Sequence, residues 1–139
     1  MNINYKENGT YELKQLIELY KNVGWAGYTD KPEKIEKAIK NSLFNIGAFH
    51  GHELIGLIRV VGDDASIIYV QDILIKEEYQ GTGIGSHLLQ SVLEKYQHIR
   101  QIVLLTDNTE KTKSFYEKNG MLNSIEFQGI AFVKYNLQA

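Results

Sequence analysis

The chain has no cysteine, a single proline and a single tryptophan, and neither sign of charge dominates: 15 Lys and Arg face 17 Asp and Glu, a formal net charge of −2. Without cysteine there are no disulfides, no thiolate metal sites and no cysteine nucleophile. Without a basic excess there is no domain-wide positive field to draw counterion-release energy from a nucleic-acid backbone, so nucleic acid is not an expected partner. No apolar run approaches the ~18 residues that a membrane helix needs. The opening stretch, residues 1–14, lacks a basic segment followed by an apolar one, so export is not indicated and the cytoplasm is the expected compartment. What is present, 43% hydrophobic residues in a chain of 139, suits one globular domain over residues 1–139 with a single core.

Residues 2–6 alternate weakly, as a short edge strand would. Leu13, Leu16, Ile17 and Tyr20 then follow the spacing of an amphipathic helix that Thr10 could cap and that ends near Gly24. A loop over residues 24–30 carries Trp25 and Tyr28. Asp30 with Glu33, a capping box, and Pro32 in the first turn predict a second helix through Ser42. Three strands follow at 43–50, 53–61 and 66–75, separated by turns too short for crossover helices, which predicts an antiparallel meander.

Strict alternation in the third of these would place Val70, Asp72 and Leu74 on one face and Tyr69, Gln71, Ile73 and Ile75 on the other. After a glycine turn, Ile84, Leu88, Leu89, Val92 and Tyr96 form a helical stripe, and residues 101–107 read as a strand covered on both faces and parallel to the 66–75 strand. Asn108 or Thr109 caps a short helix closed by Gly120, and residues 121–127 and 129–137 read as two final strands in a hairpin around Gln128 and Gly129. The expected class is a mixed α/β fold with helices on both faces of the sheet.

The glycine turn is the most informative stretch. A strand that feeds glycines opening a helix aims backbone N–H groups and the positive end of the helix dipole at one point, which suits an anion such as phosphate. The glycines are Gly81, Gly83 and Gly85; the third glycine of a dinucleotide-binding turn would fall at position 86, which is Ser86, and the Lys of a P-loop is missing. Both of those readings fail on spacing.

Gln80-x-x-Gly83-x-Gly85, after the strand and before an amphipathic helix, resembles the coenzyme A pyrophosphate loop of the GNAT N-acetyltransferase family. The likeness continues through residues 101–107, Asn108 and Tyr116, so that it spans about residues 53–125. It implies a mostly antiparallel sheet of six to seven strands, splayed between the fourth and fifth. It implies acetyl-CoA as cosubstrate, no metal, and acetyl transfer to an amine by direct attack in a ternary complex. Backbone amides of Gly81, Thr82, Gly83, Ile84 and Gly85 would hold the pyrophosphate, with Gln80 adding a neutral hydrogen bond. Ile73, Leu74 and Ile75 would line the pantetheine at the splay, and a strand N–H at or beside Leu74 would polarise the thioester carbonyl. Asn108 would bond pantetheine or cap its helix. Tyr116 would protonate the departing sulfur, or else pack beside Phe115.

An alkyl amine with a pKa near 10.4 needs roughly 4.6 kcal/mol to be freed of its proton at pH 7, and a thiolate near 8.5 needs roughly 2 kcal/mol to leave. The base is therefore the larger requirement. Asp72, a carboxylate inside an apolar strand, is the conspicuous candidate for base or for docking a cation, with pairing to Arg59 as the structural alternative. Trp25 and Tyr28 could stack on an acceptor or hold its ammonium, or anchor their loop on the core. His50 and His52 read as solvated turn residues, His87 and His98 as surface positions. A small-molecule amine is the expected acceptor; a protein lysine or N-terminus, and a non-catalytic acyl-CoA-binding module, are the alternatives. The exposed edge of the last hairpin is compatible with a homodimer.

Overall fold

The computed structural model describes the backbone of residues 1–139 and every side chain except those of Ala26 and Tyr28. The chain divides into two compact units, residues 1–105 and 106–139.

The first unit is a five-stranded sheet in the order β1-β2-β3-β4-β5, with β1 Ile3–Glu7, β2 Phe44–His50, β3 Glu53–Gly62, β4 Ile67–Ile75 and β5 Gln101–Val103. The first four strands pair antiparallel as the short turns require, and β5 joins β4 in parallel after a helical crossover. Helix α1, Leu13–Asn22, and α3, Pro32–Lys40, pack on one face: Leu16, Leu19, Tyr20 and Ile35 meet Phe49, Leu54, Leu57 and Leu74. Helix α4, Ile84–Lys95, brings Leu88, Leu89 and Val92, with Tyr96 at its end edge-on to Phe44. Those α4 side chains are all buried, which accounts for their 3.6-residue periodicity in the sequence.

Several local expectations shift. Helix α1 starts after Glu12 and α3 after Lys31, neither with a side-chain cap, so Thr10 and Asp30 do not serve as caps. The 24–30 loop contains a one-turn helix, α2, Ala26–Thr29. Strict alternation in β4 fails as well. Arg59 pairs with Asp72 but the next residue, Val60, pairs with Val70, so Gln71 is an extra residue in a β-bulge. Arg59 and Val60 point to opposite faces, and their partners follow. Asp72 and Leu74 therefore share the α1 face, whereas Val70 lies on the other.

The 101–107 run yields only a three-residue strand. Its pairing with β4 covers Ile67 to Tyr69 and stops at Val103, while β4 runs on to Ile75. This is the divergence of fourth and fifth strands that the family resemblance implies. It also explains why Leu105 is 46% exposed instead of covered: at a sheet edge, past the last pairing, a strand has lost its neighbours.

The second unit holds α5, Glu110–Lys118, and a 3₁₀ turn, Ser124–Phe127. Thr109 caps α5 through its side chain, and Gly120, at φ 92°, closes it with the Met121 N–H bonded back to the Tyr116 carbonyl. The two final strands and their hairpin are not formed. Residues 121–127 fold locally, with Gln128 left-handed at φ 63°, and 129–137 form no ladder, so the strand count is five. A strand without a partner leaves its backbone bonds to water, and β propensity alone does not create one.

Candidate active site

The glycine turn is built by backbone conformation. Gly81 and Gly83 stand at φ 79° and 90°, and no heavy atom lies within 4 Å of where a Cβ would be at either. The space over the turn is open, so it is the left-handed backbone rather than crowding that calls for glycine. Gly83 is the N-cap of α4 and has no side chain with which to satisfy the first-turn N–H groups; no acidic side chain occupies that turn either. Ile84, 3% exposed, pins the helix start into the core. The Gln80 side chain bends back, its Nε2 donating to the Ile75 carbonyl at 2.9 Å, and Thr82 Oγ1 donates to the Tyr79 carbonyl at 2.5 Å. The first bond ties the turn to the end of β4, and the second ties it to the 3₁₀ turn Glu77–Tyr79 that precedes it. In this conformation Gln80 shapes the loop and directs no charge into it.

The β4 segment Ile73-Leu74-Ile75 lies past the last β5 pairing and directly before the turn. Leu74, 2% exposed, packs in the α1 cluster, and Ile73 and Ile75 are half-buried. In a strand every second residue directs its backbone groups toward each side. From Val70 onward, β4 thus offers main-chain groups on a side where no β5 residue pairs with it. The bulge at Gln71 sits at this junction, a position where bulges commonly re-aim a strand.

Asp72 is fully buried, and its Oδ2 accepts the Tyr20 hydroxyl at 2.5 Å and Arg59 Nε at 2.7 Å. Arg59 in turn reaches the Ala38 carbonyl and Ser42 Oγ at the end of α3, at 3.5 and 3.4 Å. One carboxylate thus links α1, β3, β4 and α3. Burial, followed by the adjacent Asp72 charge, drives the Tyr20 phenol well above its ordinary value of 10. Asp72 Oδ1 is buried with no partner among the described residues. That oxygen is the one acceptor the pair leaves unused.

Sequence reasoning placed Arg59 beside Asp72 but missed Tyr20, which read only as an apolar helix position. The available signal was its phenol, since a tyrosine on a core-facing stripe needs a partner for its hydroxyl. Also missed were Lys76, buried just before the turn with Nζ 2.8 Å from Glu53, and Tyr79, whose hydroxyl is 2.8 Å from His50 Nδ1. His50 is therefore exposed but bonded. His52 is exposed; His87 is exposed and stacks on Tyr5 at 3.9 Å, and His98 lies 3.3 Å from Asp64.

Trp25 is half-buried, its ring 6.2 Å from that of Tyr20 and packed on the α1 cluster. The Tyr28 side chain lies outside the described residues. In the second unit, Tyr116 is half-buried and edge-on to Phe115 at 5.0 Å. Burial raises its pKa above 10 despite a hydrogen bond from Thr106 that lowers it, so the phenol keeps its proton through neutral pH. Asn108 is exposed, one residue ahead of the cap that Thr109 provides. A separate cleft between β1, the start of α1 and the β2–β3 turn is lined by Lys6, Tyr11, Gln15, Phe49 and His52; no predicted site residue borders it.

An N-acetyltransferase described as ycf52-like from Prochlorococcus marinus is 33% identical over 118 residues, covering 80% of this chain, which spans 63% of that protein's length. The structure of the GNAT family acetyltransferase SP0256 from Streptococcus pneumoniae superimposes with a TM-score of 0.86 at 32% identity, covering 97% of this chain and 98% of that one. An aminoglycoside acetyltransferase, AAC(6')-Iy, solved with a bisubstrate analogue of coenzyme A, shares the fold at a TM-score of 0.74 and 11% identity, over 98% of this chain and 99% of its own. The Acetyltransferase (GNAT) domain family matches residues 13–139, and with nearly the whole chain inside that match, this protein belongs to the GNAT acetyltransferase family.

Proposed function

We propose that this protein is an acetyl-CoA-dependent N-acetyltransferase acting on a small-molecule amine by direct attack in a ternary complex. The observation that carries the reading is the continuity of β4 with the glycine turn and α4. One stretch supplies a strand that runs on past its last β5 pairing and then an N-terminal anion cradle. Acetyl-CoA supplies an acyl thioester when bound. The Gly81 to Gly85 amides fit its pyrophosphate, because Gly81, Thr82 and Gly83 are exposed and a helix N-terminus carries partial positive charge without a metal. The backbone around Leu74 fits the thioester, where a strand N–H stabilises negative charge developing on the carbonyl oxygen. Ile73 and Ile75 flank the pantetheine, and Asn108 bonds it.

Tyr116 holds the proton for the departing sulfur, and its raised pKa suits a group that must be protonated at rest. On the acceptor side, Asp72 acts through Oδ1, taking a proton or fixing an ammonium while Oδ2 stays committed to Arg59 and Tyr20. Trp25 borders the acceptor. The setting is the cytoplasm, and the working state is a homodimer.

A panel of small amines, lysine peptides and buffer alone, assayed for coenzyme A thiol release beside calorimetric acetyl-CoA binding, tests this. Release with small amines is expected. Tight acetyl-CoA binding with no release for any acceptor would sink the enzyme reading, and release only with peptides would move the acceptor to protein. Tyr116→Phe should lower turnover by about 10²-fold with acetyl-CoA affinity retained. An unchanged rate would assign this tyrosine to packing against Phe115.

A further inference from the structure

Gly81, Thr82 and Gly83 are exposed, and the two glycines have no side chain with which to hold the turn in place. On the downstream side, Ile84 is seated in the core, so apolar burial fixes the end of the turn that opens α4. The upstream side differs. The chain leaves the sheet at Lys76, whose N–H bonds the Ile55 carbonyl at 2.9 Å, and enters the 3₁₀ turn Glu77–Tyr79, in which no residue is buried. Its internal bonds, Tyr79 N–H to the Lys76 carbonyl and Gln80 N–H to the Glu77 carbonyl, shape this segment without attaching it to the rest of the fold. Yet Tyr79 carries the glycine turn directly, through the Thr82 hydroxyl on its carbonyl.

Three polar side chains from three other elements make the attachment. Asn22, the last residue of α1, accepts the Glu77 N–H on its Oδ1 at 2.8 Å. Glu53, the first residue of β3, accepts Lys76 Nζ at 2.8 Å. His50, the last residue of β2, holds its Nδ1 2.8 Å from the Tyr79 hydroxyl, with the two rings edge-on. Residues 76, 77 and 79 are thus each tied to a different element, which leaves the segment little freedom to swing. Tyr20, two residues before Asn22, bonds Asp72, so the last turn of α1 grips both β4 and the approach to the glycine turn. A cradle of N–H groups binds an anion only while those groups converge. A segment that is ordered only on binding loses affinity to the entropy of ordering it.

We infer that Asn22 and His50, beside the Glu53–Lys76 pair, are positioning residues of the donor site: they keep segment 76–79 ordered before the ligand arrives, so that the glycine turn meets the pyrophosphate with its N–H groups already converged. The inference rests on the acetyl-CoA reading of that turn. Asn22→Leu removes the oxygen at similar size, and Tyr79→Phe removes the hydroxyl that meets His50 while keeping the ring. Glu77 is exposed, so water can take over its N–H, and thermal midpoints should stay within about 2 °C. In the full chain without ligand, hydrogen exchange at the Tyr79 and Gln80 amides should speed up about tenfold in each variant. Calorimetric affinity for acetyl-CoA should fall about tenfold, in line with the loss of one hydrogen bond. Asn22→Asp, which keeps an oxygen for the Glu77 N–H, should restore both. Gly83→Ala serves as the reference for the turn itself. If it weakens acetyl-CoA binding while Asn22→Leu and Tyr79→Phe change neither exchange nor affinity, the positioning role is overturned. Faster exchange with affinity retained would overturn it too, since order in 76–79 would then not matter to the ligand. Affinity indifferent to Gly83→Ala as well would remove the turn from the donor site, and the inference would fall with that reading.

Discussion

Asp72 places its two carboxylate oxygens in different surroundings. Its Oδ2 is held by a guanidinium and a phenol inside the core, while Oδ1 has no partner among the described residues. Removing one partner of a buried ion pair leaves the other charge stranded, at about 3–5 kcal/mol. Asp72→Ala should therefore lower the denaturation free energy by about that much, read from the urea midpoint. Arg59→Met combined with Asp72→Leu should recover most of it, because an apolar pair strands no charge. Activity should stay lost in the double variant if Oδ1 serves the acceptor, and return if Asp72 only joins elements. The sequence showed an isolated carboxylate in an apolar strand and a neighbouring arginine. It could not show that the two carboxylate oxygens have different surroundings, which depends on where the α1 tyrosine lands.

At the scale of elements, the strand, glycine turn and helix were legible because each rests on local rules: left-handed backbone at Gly81 and Gly83, and a buried stripe from Ile84 to Tyr96. Gly83→Ala meets no packing obstacle, as nothing lies near the new Cβ. It forces an L residue into φ 90°, costing about 1–2 kcal/mol. If the turn relaxes to avoid that cost, the amides lose their convergence. Calorimetry should then show acetyl-CoA binding weakened by about tenfold. Unchanged affinity would remove the turn from the donor site. The β4 bulge was not legible, because one extra residue against β3 is decided by the partner strand and leaves the apolar pattern almost intact. The two final strands were read from propensity, and propensity supplies no partner.

For the molecule as a whole, the buried phenols set an alkaline limit. Tyr20 is driven above 10 by burial and by Asp72, and burial pushes Tyr11 up to about 12 while its hydroxyl donates to Asn45. A raised folded pKa means that the neutral form is favoured in the native state. Their stabilising contribution is thus complete below pH 10 and is lost as pH rises from 10 through about 12 for Tyr11 and beyond for Tyr20. Thermal midpoints should be flat in these groups from pH 7 to 9 and fall above 10, and Tyr20→Phe should flatten the fall. A midpoint that declines equally in Tyr20→Phe would place the alkaline sensitivity elsewhere.

Sequence alone determined the four longer helices, the meander, the glycine turn and the family, since these follow from periodicity, turn length and glycine conformation, all short-range along the chain. Tertiary structure decided the face on which Asp72 lies, the Tyr20 and Arg59 bonds to it, the end of β5 pairing at Val103 and the unpaired state of 129–137. Each of these depends on which distant segment arrives opposite a residue, and that is settled by pairing and burial across the fold rather than by neighbours in sequence.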